Sequence, residues 1–227
     1  MTRRTGLTAL AVCAVAATAA SGCGSEKTQN PTTAPTVSLW VNATTQDYRQ
    51  VAAGAKLALA EAEGRAGTFR VNYAGRQVSG DPALATKDAL SNARTSLRDT
   101  QVSAVVTALG DQQAKSAITL LNSAGISAVA LGDGALKTLT CDAASDVNPS
   151  GHPTTIVVED APVPGSFRTS FQDRLGFAPT SEAYRSYQGV KSVLSSLAAN
   201  GVATDDTPPR LDREALAAQL TAAHGGC

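Results

Sequence analysis

Val102-Ser103-Ala104-Val105-Val106-Thr107-Ala108-Leu109 is the stretch that decides the fold. It is a nearly continuous apolar run without polar alternation, the pattern of a strand covered on both faces. A helical stripe follows, Ala114, Ala117, Ile118, Leu121 and Ala124, closed by Gly125, and a second apolar strand runs from Ile126 to Leu131. Strand, helix and strand in succession imply a parallel crossover, because a hairpin needs no helix between its arms. Towards the N-terminus the same alternation holds. Val37 to Val41 reads as a strand, Val51, Ala55, Ala58 and Ala62 as a helical stripe, and Thr68 to Tyr73 as a strand. Asp81-Pro82 opens the next helix, with Asp as N-cap and Pro at the first helical position. Ala83, Leu90, Ala93 and Leu97 keep one face of it to about Arg98. Towards the C-terminus the periodicity weakens between Gly132 and Pro153, a long connection, and Thr154 to Val158 resumes as a fifth strand. Phe167 to Leu175 is a short helix, and Tyr187, Val190, Leu194 and Leu197 mark a longer one ending near Asn200-Gly201. Pro208-Pro209 breaks the chain before a last amphipathic helix, Arg213 to Ala223. The expectation is an α/β protein: a single three-layer parallel-sheet domain of about five strands in flavodoxin-like order.

The first residues carry an address. Arg3 and Arg4 precede an uncharged, mostly apolar run from Gly6 to Ala20, and Ala20-Ser21-Gly22 leads into Cys23. A basic head, a short apolar segment and small residues at its end describe a secretory signal. The apolar run falls short of the roughly 20 residues that span a bilayer. Small-small-Cys resembles the lipobox of bacterial lipoproteins, which implies cleavage after Gly22 and lipid on Cys23; an ordinary cleaved signal with a chance Cys is the alternative. The expected organisation is a signal at 1–22, an anchor and flexible tether at 23–36 built on Ser, Thr, Gln, Asn and Pro, and an α/β lobe at 37–227. The implied location is the outside of a bacterial cell membrane, held by lipid.

Charge and cysteines narrow the classes. The chain balances 19 Lys and Arg against 19 Asp and Glu, and without Arg3 and Arg4 the formal net charge is −2. No basic excess favours nucleic acid, and none would hold anionic lipid by charge alone. Aromatics make up only 4 % of the chain, so the core must be packed from small aliphatics. Of the four cysteines, Cys13 leaves with the signal and Cys23 is the anchor, which leaves Cys141 and Cys227. An exported pair is expected to form a disulfide, closing a loop of about 85 residues and contributing roughly 4 kcal/mol in the chain-entropy model; two free thiols or an intermolecular bridge are the alternatives. Neither sits in a Cys-x-x-Cys spacing, so no zinc or redox site is indicated.

Several segments together resemble the type I periplasmic binding proteins, which include the branched-chain amino-acid-binding components of ABC transporters. Asp81-Pro82-Ala83-Leu84-Ala85, then Val105-Val106-Thr107-Ala108-Leu109-Gly110, then a helix ending in Ala124-Gly125-Ile126 are similar to the first lobe of that family. Phe167 and Phe171 before Gly176-Phe177-Ala178-Pro179, followed by Ala183-Tyr184 and Tyr187-Gln188-Gly189-Val190, resemble its return segment, with Gln188 and Gly189 where Asp and Ala are expected. Family members close two lobes on a ligand. Here about twenty irregular residues join strand four to the return segment, so the chain resembles a first lobe reduced of its partner. The resemblance implies a small polar solute, amino-acid-like or an amine or amide, and an ABC permease as a partner. The alternative is an envelope accessory or signalling lipoprotein that binds a protein partner through the face the second lobe would have covered.

Ligands of an open parallel sheet bind at the strands' carboxyl ends. The candidates there are Trp40 and Asn42 on strand one, Gly110, Asp111 and Gln112 after strand three, and Gly132 and Asp133 after strand four. Gln112 and Gln113 stand where the family offers Ser hydroxyls, and Asp111 would compete with a ligand carboxylate at the helix N-terminus. Trp40 also suits a core position. Asp47, Asp111, Asp133, Glu159 and Asp160 could hold a cation; helix capping and solvated loops are the plainer reading, and no metal or cofactor is expected. His152 and His224 are the only histidines, no Gly-x-Ser-x-Gly elbow is present, and Ala114 stands where a phosphate loop needs Gly. No catalysis is expected.

Overall fold

The computed structural model describes residues 34–132 and 155–224, all within one compact unit, Thr33–Cys227. Along the chain run β1 (Thr36–Thr44), α1 (Tyr48–Glu61), β2 (Arg65–Ala66), β3 (Phe69–Val78), α2 (Pro82–Leu97), β4 (Val102–Ala108), α3 (Asp111–Asn122) and β5 (Ser127–Leu131). Then follow β6 (Thr155–Val158), α4 (Gly165–Leu175), α5 (Ser181–Leu197) and α6 (Arg213–His224). The sheet order is β2-β3-β1-β4-β5-β6. Its last five strands are parallel, which is the flavodoxin-like order expected from the sequence. The sixth strand is an addition: β2 pairs antiparallel with β3 through Arg65↔Arg70 and Ala66↔Phe69. Two residues are too few to show any periodicity, so it left no sequence signal.

Alternate side chains of each central strand feed two cores. Leu39 and Val41 of β1, Val106 of β4, Val129 of β5 and Ile156 of β6 face α1, α5 and α6, where Val51, Ala55, Val190, Leu194, Leu216 and Leu220 meet them. Trp40, Val105, Ala128 and Ala130 face α2 and α3, packed against Ala85, Ala89, Ala93, Ala117, Ile118 and Leu121. Both faces of β4 are covered, so its run is mostly apolar, with Ser103 and Thr107 buried among the aliphatics. The alanines let α2 lie close to the sheet without large side chains between them.

Local chemistry starts α2 as read: Asp81 Oδ1 accepts a bond from the Ala83 N–H at 2.9 Å, and Pro82 occupies the first position. The α1–α5 crossing depends on Gly54. A Cβ there would lie 1.9 Å from the Ala183 carbonyl oxygen, so the helices touch backbone to side. Ser186 Oγ of α5 ties the pair by donating to the Val51 carbonyl at 2.8 Å. Gly189 plays the same part against the sheet, where a Cβ would approach Val129 Cγ1 at 3.0 Å. The Gly at this position, in place of the expected Ala, is thus a close-approach residue.

Candidate functional site at the strand carboxyl ends

β1 leads into α1 on one face of the sheet, whereas β4 leads into α3 on the other. The chain therefore parts between β1 and β4, the switch point at which open α/β sheets form ligand crevices. A cleft of about 210 Å³ opens there. Thr44 and Asp47 beyond β1, Ala108 to Gly110 beyond β4, Leu131 at the end of β5, and Glu182 and Arg185 of α5 line it.

Its charged groups are held by one another. Arg185, 12 % exposed, places Nη1 3.2 Å from Asp160 Oδ1 and Nη2 3.1 Å from Glu182 Oε1. The Arg185 Nε is buried with no partner among the described residues. Ser181 Oγ also donates to Glu182 Oε1 at 3.2 Å. Burial pushes the Glu182 carboxyl up, but bonds from Thr180, its own N–H and Ser181, with the Arg185 charge, outweigh that and leave it below the usual range. On the other wall, Thr44 Oγ1 donates to Asp47 Oδ2 at 2.7 Å and fixes the turn into α1. α3 starts at Gly110 without a side-chain cap, so its first-turn N–H groups and the positive end of its dipole are offered at the cleft. The α3 wall thus carries N–H donors with the Asp111 carboxylate exposed in the same turn, and α5 brings the Glu182–Arg185 ion pair to the lining.

The expected site residues divide. Gly110 lines the cleft, and Asp111 and Gln112 are exposed on the first turn of α3 beside it. Gly132 follows β5, its N–H donating to the Val158 carbonyl at 3.2 Å. Asn42 is buried, in register with Thr107 of β4. Asn42 Oδ1 and Thr107 Oγ1 have no partner among the described residues. Trp40 is buried in the α2–α3 core, and its Nε1 donates to Asp99 Oδ2 at 2.9 Å. Asp99 precedes β4, so the indole is directed to the sheet's amino edge, away from the cleft. Asp133, Cys23, Cys141 and Cys227 lie outside the described residues. Among the described residues no group of three His, Cys, Asp or Glu is placed to hold a metal ion, and no helix is long and apolar enough to cross a membrane.

Glu182 and Arg185 were not among the expected site residues. They precede the apolar stripe from which α5 was read, and only their charged i, i+3 spacing at the head of that helix could have drawn attention.

No protein-family model matches the sequence, and no curated protein sequence matches it. Solved structures match its fold. An ABC transporter substrate-binding protein from Desulfitobacterium hafniense in complex with Leu aligns at a TM-score of 0.59 and 12 % identity, over 83 % of this chain and 89 % of that one. The branched-chain amino acid transporter substrate-binding protein LivJ from Streptococcus pneumoniae, in complex with isoleucine, gives 0.56 and 10 %, over 82 % and 88 %. An ABC transporter substrate-binding protein from Sphaerobacter thermophilus gives 0.57 and 12 %, over 82 % and 86 %. At such identities the likeness is one of fold: the described sheet matches one lobe of a periplasmic binding protein.

Proposed function

We propose that this chain is an extracytoplasmic binding protein, lipid-anchored through Cys23, that holds a small zwitterionic or amine solute in the switch-point cleft and serves an ABC permease. The observation that carries the reading is the division of charge across that cleft. The uncapped N-terminus of α3 and the unpartnered Arg185 Nε suit a ligand carboxylate, and the Asp47 carboxylate suits an ammonium. The neighbours solved with Leu and isoleucine support an amino-acid-like ligand.

The test is a thermal-shift and calorimetric screen of the full chain against amino acids, small amides, amines and sugars. A ligand at 100 times its dissociation constant adds roughly 2.7 kcal/mol. A saturable shift that Arg185→Gln weakens supports the reading, and a folded protein that answers none of them refutes it. A second reading rests on size. At about 210 Å³ the cleft is smaller than the roughly 300–1,000 Å³ of small-molecule sites, so a protein partner could supply the missing wall, as in an envelope accessory or signalling role.

A further inference from the structure

On the outer side of α1, α4 and α5, away from the cleft, lies a separate recess of about 260 Å³. Its lining includes Glu61, Ser166, Phe167, Ser170, Tyr184 and Tyr187. The Phe167 ring centre is 4.9 Å from those of both Tyr184 and Tyr187. The two tyrosine rings lie 6.4 Å apart and within 17° of parallel. Behind them Phe171 is fully buried, 5.4 Å from Phe167, and gives the wall a fixed backing. Glu61 is the charged residue of the lining, and the Tyr187 hydroxyl holds it by donating to Oε2 at 2.6 Å. Burial and that bond push the Tyr187 phenol up to about 12.

Packing alone accounts for Phe167 and Phe171. Tyr184 and Tyr187 pack against the same cluster but stay partly exposed, and with the Glu61 carboxylate they border a space that no side chain fills. Aromatic faces beside a carboxylate form the chemistry that recognises organic cations. Tyr187 already receives one: the Lys191 ammonium lies 5.2 Å from its ring centre and 3.3 Å from its hydroxyl. Lys191 does so from the neighbouring depression, which Glu61 also borders, whereas the recess is lined by Tyr187 together with Tyr184 and Phe167.

We propose that this recess binds a small organic ammonium, primary or methylated, seated against Phe167, Tyr184 and Tyr187 and balanced by Glu61. The site is independent of the switch-point cleft and of the solute held there. A cation–π contact at an exposed position changes a binding constant by about two- to fivefold. Removing the ligand's charge forfeits the ring contacts and the attraction of Glu61 together, so binding should weaken by about tenfold or more.

The experiment is calorimetric titration of the full chain with choline, tetramethylammonium and 3,3-dimethylbutanol, the uncharged carbon isostere of choline. The expected result is saturable binding of both cations, with the isostere weaker by about tenfold or more. Glu61→Gln keeps an acceptor for Tyr187 on an exposed helix end, so it should fold normally and lose affinity for choline. Tyr184→Leu should lose it too, while Asp47→Asn in the cleft should leave it unchanged. Equal binding of choline and its isostere, or no binding of either cation at about 50 mM, overturns the proposal. So does choline binding that falls with Asp47→Asn and not with Glu61→Gln.

Discussion

Replacing Gly54 by Ala tests the helix crossing on which the cleft depends. The added Cβ would lie 1.9 Å from the carbonyl oxygen and 2.8 Å from the carbonyl carbon of Ala183, both backbone atoms that no rotamer change can remove. To reach the 3.4 Å at which ordinary contact begins, α1 and α5 must part by about 1.5 Å locally. Overpacking of this kind costs about 1–3 kcal/mol, and a rigid backbone neighbour places it at the upper end. Ala in place of Gly inside a helix recovers about 1 kcal/mol. The net expectation is a destabilisation of about 1–2 kcal/mol, or a fall in Tm of about 2–8 °C for a domain of this size. Thermal and urea unfolding followed by circular dichroism measure it. Gly165→Ala is the matched control, since a Cβ there meets nothing within 4 Å, and its effect should stay within about 0.5 kcal/mol. Because α5 also carries Glu182 and Arg185, Gly54→Ala should weaken any ligand of the cleft. A Gly54→Ala protein as stable as the parent would refute the close crossing and, with it, the placement of Arg185.

Other consequences are simpler to check. Asp81→Ala removes the bond to the Ala83 N–H that starts α2 and should lower stability by about 1 kcal/mol in urea unfolding, with Asn a nearly neutral replacement. Tyr187, raised to about 12 by burial and Glu61, favours folding below the ordinary tyrosine value of about 10, and that contribution is lost as pH rises from there through about 12. Tyr187→Phe should therefore flatten the alkaline stability curve, and tyrosinate absorbance of the native protein should rise in fewer equal steps than in the unfolded chain. Trp40, the one Trp of the chain, is 5 % exposed and bonded to Asp99. Its emission should be blue-shifted and poorly quenched by acrylamide, and a ligand seated in the cleft should leave it unchanged.

The residues that carried the family resemblance turn out to be mainly packing residues. Ala183 meets Gly54, Gly189 meets Val129, and Phe171 and Phe167 fill the space beneath α4 and α5. They announce how helices and sheet approach, which explains why the fold was readable from short motifs and the ligand was not. Strand and helix positions were legible for a local reason. A run such as Val102 to Ala108 has one pattern because both its faces are covered, and Asp81-Pro82 caps its helix with atoms a few residues apart. The parallel order followed from the alternation of strands and helices.

The cleft was legible only in part. Its loops after β1 and β4 follow from strand ends, so Gly110 and Asp47 could be placed near it. Glu182 and Arg185 could not, because they enter from a helix distant in sequence from both loops, delivered by the Gly54 crossing. The direction of the Trp40 indole was equally hidden, since alternation assigns a face of the sheet but not an edge. The sequence by itself determined the layers and the positions of the five parallel strands, through short-range periodicity and capping, and the order of those five through the family resemblance; it gave no sign of the edge strand β2. Only the tertiary structure decided which charges share the cleft and which rings share the outer recess, because these depend on how α5 packs against α1 and against α4.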